Sequence, residues 1–223
     1  MHRAELHEGQ WKFISPEQAE QLLAAARGNR LEALYTLMLT SGCRLGELLG
    51  LRWDALDFER RELHVSSVLN EFKGQRSLGR PKTPHSRRTI PLTQLAVDLL
   101  HTHRAAQLAE RLEHSAEWSP QRLVFCTTTG TAYAMSNWRR QQYRPLFKRA
   151  GLPYIRPHDL RHTAATLLLL DGVPAIVVSR QLGHSNVAFT LQTYGHVLAE
   201  MRDMARDAME KRFGSSLAAN LEK

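Results

Sequence analysis

The sequence predicts a mainly α-helical domain that carries a small antiparallel β-sheet. Apolar residues recur at intervals of three and four over most of the chain, which is the spacing of amphipathic helices, whereas residues 62–92 change to the alternation of strands. The chain has 223 residues, enough for one large domain with its own hydrophobic core, and it contains no internal repeat or low-complexity tract. We therefore expect one α+β domain.

The first three helices are indicated by their end signals. The sequence SPEQ at residues 15–18 combines a serine N-cap, a proline at the first helical position and a glutamine that completes a capping box, so a helix should run to about residue 27. Apolar residues from Leu31 onward predict a second helix that stops at Gly42, because glycine commonly follows a helix end. A short third helix should follow at about residues 45–49.

Residues 62–92 predict one small antiparallel sheet with a basic hairpin. The first strand is marked by alternation at Leu63, Val65, Ser67 and Leu69. A polar stretch with glycine follows, and residues 88–92 form another strand. The later elements are helices at residues 93–112, 136–150 despite Pro145, 159–170 and 174–182, a short strand at 123–126, shorter helical segments through Tyr194, and an amphipathic helix at about 198–213.

The charge balance favours a phosphate-rich partner. The formal net charge is +8, and 24 of the 30 basic residues are Arg, whose planar fork binds phosphate bidentately. Nucleic acid is therefore the first candidate, although many soluble proteins are basic without such a partner.

Cysteine usage and the apolar runs exclude two protein classes. Cys43 and Cys126 lie in apolar surroundings, which favours buried reduced thiols of an intracellular protein over a secreted disulfide framework. The first ten residues lack the apolar core of a signal peptide. The longest apolar run, near residues 167–170, is too short to cross a bilayer. We expect neither secretion by that route nor a membrane span.

Residues that could act on phosphate follow one another in a characteristic order. The pattern His-x-x-Arg occurs three times and has little specificity alone, whereas Leu-Gly-His at residues 182–184 is less expected by chance. The order comprises an arginine after a helix stop, a lysine in the hairpin followed by Ser-Arg-Arg, then His-x-x-Arg, Leu-Gly-His and a tyrosine. The corresponding residues are Arg44, Lys82, Ser86 to Arg88, His158 with Arg161, His184 and Tyr194.

In this order the residues resemble the tyrosine recombinase (phage integrase) family. The most specific segments are TSGCRLGE at residues 40–47, HDLRHT at 158–163, LGHS at 182–185 and TYGH at 193–196. The resemblance covers almost the whole chain from Ser15 onward. It implies the catalytic-domain fold of that family and DNA cleavage through a 3′-phosphotyrosyl intermediate, without a metal, ATP or another cofactor. His184 and Tyr194 are ten residues apart, one more than in many members.

The resemblance implies a role for each member of the set. Tyr194 is the nucleophile. An unperturbed tyrosine has a pKa near roughly 10, so its hydroxyl must lose a proton during the attack, and His158 accepts that proton. Arg44 and Arg161 clamp the oxygens of the pentacoordinate phosphorus bidentately. Lys82 donates a proton to the departing 5′-oxygen, since a hairpin can lay a long side chain against DNA.

Two further roles and a set of DNA contacts complete the prediction. His184 donates a hydrogen bond to a phosphate oxygen, and Glu47, one helical turn from Arg44, orients the site as a supporting carboxylate. The expected DNA-binding residues are Lys73, Arg76, Arg80, Arg87, Arg88, Arg139 and Arg140.

Some of these assignments have rivals in the sequence. Lys73 lies in the same hairpin region as Lys82, where either lysine could be a solvated loop charge. The rival tyrosines are Tyr133, Tyr143 and Tyr154, but only Tyr194 follows Leu-Gly-His closely. His162 could form a zinc pair with the histidine four residues before it, but no Glu lies between them and no third ligand is in register.

The resemblance also implies a domain organisation and partners. We expect an N-terminal linker at residues 1–14, a catalytic domain at 15–197, and a C-terminal helix and tail at 198–223, with the upstream core-binding domain of the family absent. The final helix either exchanges between protomers or folds back on its own domain. Expected partners are double-stranded DNA and further copies of the chain, as a tetramer on DNA and a monomer without it, in the cytoplasm on the nucleoid and away from membranes.

Three other functions remain open from the sequence. A type IB topoisomerase uses a similar residue set but rejoins the same strand after swivelling. A DNA-binding module could have kept the fold and lost the chemistry. A metal-dependent nuclease would lose its activity on chelation.

Overall fold

The computed structural model describes residues 13–81, 83–116, 118–200, 206–207 and 209–214. The helices in these ranges are α1 (Pro16–Ala26), α2 (Glu32–Ser41), α3 (Leu45–Leu49), α4 (Gln94–Glu113), α5 (Met135–Trp138), α6 (Arg144–Arg149), α7 (Pro157–Leu170), α8 (Ala175–Leu182) and α9 (Val187–Glu200). The strands are β1 (Leu56–Asp57), β2 (Glu62–His64), β3 (Val68–Phe72), β4 (Gln75–Gly79) and β5 (Thr89–Pro91). No helix within the described ranges is long and apolar enough to span a bilayer.

The predicted fold class is confirmed, and the early helices begin and end as expected. The capping box forms, because the Ser15 hydroxyl accepts the N–H of Gln18 and the Gln18 side chain accepts the N–H of Ser15, at 3.2 and 3.0 Å. Gly42 ends α2 with a φ of 63°. In contrast, α7 begins at Pro157 rather than at Asp159, because the Asp159 carboxylate caps the helix by accepting the backbone N–H of Arg156 at 2.8 Å.

The strands form two antiparallel sheets, so the prediction of one sheet is wrong. One sheet has the order β1-β2-β5 and the other is the hairpin β3-β4. The alternation that runs through Leu63, Val65, Ser67 and Leu69 crosses from the first sheet to the second. Val65 still pairs with the carbonyl of Arg88 at 2.9 Å, but the Ser67 hydroxyl donates to the carbonyl of Gly50 at 2.5 Å. The chain leaves the first sheet between these two positions.

Residues 123–126 form an isolated bridge instead of the expected strand. Leu123 bridges to Arg52, and no further ladder continues from it. The carbonyl of Val124 is taken by side chains of α4, because Nε2 of His103 lies 2.7 Å from it and Gln107 donates to it at 2.8 Å. The carbonyl that a further partner strand would use is therefore satisfied by a helix.

The helix expected at residues 136–150 is present and tolerates Pro145. It runs through α5 and α6, which are joined by a π-helical segment at Arg139–Tyr143 just before the proline. Proline has no N–H to donate to the preceding turn, and a widened turn relieves the missing hydrogen bond.

The core has two parts, and the smaller one lies between helices in the C-terminal part of the fold. The large cluster contains Ile14, which belongs to the segment expected to be a linker, and both free cysteines are buried. The smaller cluster joins α7, α8 and α9 through Ala165, Leu169, Val178, Leu182 and Tyr194. The sequence also predicts that Met201, Met204, Ala205 and Ala208 form one apolar face of the final helix, and these four residues lie outside the described ranges.

Candidate active site

Two glycine turns bring together the chain segments of the site. Gly42 ends α2 and Gly183 ends α8, both in the left-handed region, with φ values of 63° and 71°. A Cβ on Gly42 would lie 2.7 Å from Cδ2 of Leu182, so the close approach of the two turns requires glycine. Arg44, the N-cap residue of α3, and His184 follow these turns and are brought close by them.

Arg161 on α7 ties the two turns together. Its Nη1 donates to the carbonyl of Gly42 at 2.7 Å and its Nη2 donates to the carbonyl of Leu182 at 2.5 Å. The residue is 3% exposed, and burial together with the positive charge of Arg44 lowers its pKa to about 10. Arg161 therefore remains a fixed cation at neutral pH, held between the segments that carry Arg44 and His184.

Glu47 is the buried carboxylate of the site, as the sequence predicted from its position relative to Arg44. Its Oε2 accepts the backbone N–H of Arg44 at 2.8 Å, and its Oε1 accepts from Nη1 of Arg44 at 3.0 Å. Arg88 pairs with both oxygens, at 3.0 and 2.9 Å. Burial alone would raise the pKa of Glu47, but the ion pair with Arg88 outweighs it, and the pKa lies below its usual value.

An open cleft of about 600 Å³ lies beside these residues. Arg44, Glu47 and His184 line it, together with Arg80, Pro81, Thr83 and Ser86 of the loop that leads to β5. Lys82, the predicted proton donor, lies outside the described residues, although its neighbours on both sides line the cleft. The Arg44 side chain remains 41% exposed, so its charge is available to a ligand.

His184 is held as a neutral imidazole at the cleft. Its Nδ1 lies 2.8 Å from the hydroxyl of Thr190, and its ring meets the ring of Phe189 edge to face, with centroids 4.9 Å apart. Burial, followed by the positive charges of Arg161 and Arg44, lowers the pKa of His184 to about 4. A neutral ring that accepts from Thr190 at Nδ1 carries its proton on Nε2, which can then donate to a ligand.

Tyr194 is buried in the smaller core cluster and does not line the cleft. It is 2% exposed, and its hydroxyl lies 2.7 Å from Nδ1 of His162. Burial raises the pKa of Tyr194 to about 12. His158, the predicted proton acceptor, is exposed and meets the His162 ring edge to face at a centroid distance of 4.8 Å. The hydrogen-bonded partner of the predicted nucleophile is thus His162, for which the sequence suggested only a metal-ligand role.

Six of the seven expected DNA-binding residues are exposed: Lys73, Arg76, Arg80, Arg87, Arg139 and Arg140. Lys73 lies at the tip of the β3-β4 hairpin, and Arg76 donates from β4 to the carbonyl of Ala132. Arg88 differs, because its side chain is only 6% exposed and its charge is paired with Glu47. The assignment of Arg88 as a DNA contact is therefore corrected.

The alternation of side chains along β5 could have predicted that Arg88 points inward. Successive side chains of a strand point to opposite faces, so Arg88 shares a face with Ile90 while Arg87 and Thr89 share the other. Ile90 is fully buried, and Arg87 and Thr89 are exposed. An arginine placed two residues before a buried isoleucine could have been identified as inward-facing.

No group of three or more His, Cys, Asp or Glu side chains in the described part of the chain is arranged to hold a metal ion. The rings of His158 and His162 meet edge to face, and Nδ1 of His162 faces the hydroxyl of Tyr194.

Comparison with known sequences gives one family. The sequence model of the phage integrase family matches residues 12–201. A tyrosine recombinase XerC-like protein of Caldanaerobacter subterraneus subsp. tengcongensis is 35% identical over 212 residues, covering 90% of this chain and 54% of the relative. An integrase of Streptomyces ambofaciens is 33% identical over 191 residues, covering 82% and 48%. The chain spans about half the length of these curated relatives.

Comparison with solved structures gives the same fold. The Tn1549 transposon integrase in complex with a circular intermediate DNA matches with a TM-score of 0.72 at 25% identity, covering 92% of this chain and 66% of that one. The crystal structure of XerA recombinase matches with a TM-score of 0.71 at 23% identity, covering 91% and 67%. At such identity the second match supports the shared fold alone.

Proposed function

Because this chain belongs to the phage integrase family, we propose that it is the catalytic part of a site-specific DNA recombinase or integrase, which cleaves and rejoins DNA strands through Tyr194. The observation that carries the proposal is the convergence of Arg44, Arg161 and His184 on two touching turns beside an open cleft. Two fixed cations and a neutral N–H donor are the groups that a phosphoryl-transfer site needs when it has no metal.

The proposed first step is an attack on a DNA phosphodiester. The hydroxyl oxygen of Tyr194 forms a bond to phosphorus while the bond from phosphorus to the 5′-oxygen breaks. The tyrosine proton passes to a histidine, for which His158 is the predicted residue, and the 5′-oxygen takes a proton from Lys82. The phosphoester bond is kept in the 3′-phosphotyrosyl link, so rejoining by a 5′-hydroxyl needs no ATP.

The arginines are proposed to act on the charge that develops during this attack. The pentacoordinate phosphorus carries additional negative charge on its non-bridging oxygens. Arg161 is buried, paired with two carbonyls and therefore fixed in position, whereas Arg44 is partly exposed and can meet the phosphate directly. His184 would donate its Nε2 proton to a phosphate oxygen.

The described position of Tyr194 is a resting position in this proposal. The hydroxyl is buried against His162, so the nucleophile has to leave the smaller core cluster before it can meet DNA. Tyr194 is also the one point inside α9 with non-helical backbone angles, at φ −111° and ψ 16°. This break allows the tyrosine segment to move separately from the first part of α9.

The proposal includes partners and a location. Double-stranded DNA is the substrate, held by the exposed arginines around the cleft and the β3-β4 hairpin. The chain acts as a homo-oligomer on DNA, with a tetramer as the synaptic form and a monomer in its absence. Its place in the cell is the cytoplasm, on the nucleoid.

A covalent trapping experiment tests the proposed function. The 223-residue chain is incubated in excess EDTA with duplex DNA carrying a nick just downstream of the cleavage site, so that the short fragment with the new 5′-hydroxyl diffuses away and the adduct accumulates. Because the recognition sequence is unknown, a pool of randomised nicked duplexes is used and the adduct is separated on a denaturing gel. A protein–DNA band that requires Tyr194 supports the proposal, and a complete absence of such a band, or a band that needs a divalent metal, rejects it.

A further inference from the structure

We infer that Arg88 is a positioning residue for DNA cleavage: it fastens the turn before His184 to the carboxylate that holds Arg44. This inference rests on the proposed function. Arg88 lies just before β5, and the hydrogen-bond partners of its guanidinium are Glu47, Gln181, Ser86 and Cys43. It acts through Glu47 and the backbone of the Gly183 turn.

Each of the five N–H groups of the Arg88 guanidinium has an acceptor. Nη1 donates to Oε1 of Glu47 at 3.0 Å and to the carbonyl of Ser86 at 3.1 Å. Nη2 donates to Oε2 of Glu47 at 2.9 Å and lies 3.9 Å from Sγ of Cys43, while Nε donates to the carbonyl of Gln181. No donor of this side chain is left for a phosphate.

The contact with Glu47 governs how Arg44 is presented. Glu47 is 4% exposed, and a buried carboxylate without a full counter-charge is strongly disfavoured. Arg88 supplies that charge bidentately, so Arg44 contributes only its backbone N–H and Nη1. Without Arg88, the carboxylate would draw the Arg44 guanidinium inward and away from the cleft.

The contact with Gln181 governs how His184 is presented. Nε of Arg88 holds the carbonyl of Gln181, three residues before His184. A Cβ on Gly183 would lie 3.1 Å from both Cδ and Nη1 of Arg88, so the arginine side chain packs directly against the turn. One planar group therefore fixes the relative positions of the segments that carry Arg44, His184 and, through Ser86, the loop that contains Lys82.

The chain offers a matched control in Arg30. This arginine pairs with Glu110 through Nε and Nη2 and donates to the carbonyls of Cys126 and Thr127, which is the same type of arrangement. None of these partners lines the cleft. A lysine at either position keeps the positive charge but lacks the planar guanidinium that donates to several acceptors at once.

The test compares Arg88→Lys with Arg30→Lys in the 223-residue chain. Thermal unfolding of each variant gives its midpoint, and titration gives its affinity for uncleaved DNA. The single-turnover rate of adduct formation is measured on nicked duplexes at saturating protein. We expect both variants to lose stability. Only Arg88→Lys should cleave more slowly, by roughly tenfold to hundredfold, with DNA affinity within about twofold of the original chain, because misplaced groups lower the rate of the chemical step.

The outcomes separate this inference from the proposed function. If the unsubstituted chain forms no adduct, the proposed function fails and the inference with it. If that chain is active and Arg88→Lys cleaves at the same rate, or loses DNA affinity in place of rate, Arg88 is not a positioning residue and the proposed function stands. Should Arg88→Lys not fold, the double variant Glu47→Gln with Arg88→Met leaves no buried charge unpaired. Cleavage by that variant more slowly than by Glu47→Gln alone, with retained DNA binding, would support the inference, and cleavage at the rate of Glu47→Gln alone would overturn it.

Discussion

The hydroxyl oxygen of Tyr194 lies 2.7 Å from Nδ1 of His162, and both side chains are buried: the tyrosine is 2% exposed and the histidine 5%. The hydrogen bond and the apolar cluster around it hold the tyrosine away from the cleft. A duplex placed in the cleft would therefore meet Arg44 and His184 before it meets Tyr194, so binding and cleavage can be separated experimentally.

Substitution of Tyr194 by Phe is expected to abolish the covalent adduct and preserve DNA binding. Only the hydroxyl is removed, so the ring still fills the smaller core cluster. Loss of the hydrogen bond to His162 should lower the free energy of unfolding by about 1 kcal/mol. Denaturing gels, binding titrations and urea unfolding measure the three quantities, with Tyr154→Phe at a more exposed tyrosine as the control. An adduct of normal yield from Tyr194→Phe would show that another residue is the nucleophile.

The free energy of unfolding is expected to fall as the pH is lowered from about 6.5 to about 4. Burial, then the charges of His158 and Arg161, lowers the pKa of His162 to about 4, whereas an unfolded histidine titrates near roughly 6.5. In this window the unfolded chain binds a proton that the folded chain does not, which favours unfolding by up to about 1.4 kcal/mol per pH unit for each such histidine.

Urea unfolding at several pH values measures this dependence. His184, whose pKa is also lowered to about 4, should contribute with the same sign. His162→Gln should make the dependence shallower, while His114→Gln, at an exposed position, should leave it unchanged. An unaltered slope in His162→Gln would mean that His162 titrates normally in the folded chain.

The helices were predictable because their signals are local, and the sheets were less so. A capping box or a glycine stop involves residues within one or two turns, as at Ser15 and Gly42. The alternation from Leu63 to Leu69 is equally local, but the separation of β2 from β3 depends on hydrogen bonds to Gly50 and Arg88, which are distant in sequence. Periodicity gives the faces of strands and not their partners.

The same distinction applies to the candidate site. The order of motifs was enough to select Arg44, Arg161 and His184, and the structure brings their segments together. The contact between His162 and Tyr194 joins residues 32 positions apart and depends on how α9 packs against α7. No spacing rule within one helix contains that information.

Substitution of Lys82 by Ala should slow the cleavage of ordinary DNA far more than that of DNA with sulfur in place of the 5′-bridging oxygen. A thiolate leaves without a proton, so a missing general acid matters little on the sulfur substrate. Pro81 and Thr83, on either side of Lys82, line the cleft. Lys73→Ala, at the hairpin tip, is the matched control and should affect both substrates equally. Equal losses on both substrates in Lys82→Ala would exclude it as the proton donor.

DNA binding by this chain should weaken steeply with salt, and Arg80 should account for part of that dependence. Arg80 is exposed and lines the cleft, where it can neutralise one phosphate and release the counterion held there. Arg80→Gln is expected to reduce the slope of log affinity against log salt by about 0.9, the value for one phosphate of duplex DNA. Arg111→Gln, at the exposed end of α4, changes the net charge equally and should leave the slope unaltered. Titrations at several salt concentrations distinguish the two variants, and equal slopes would mean that Arg80 acts only through net charge.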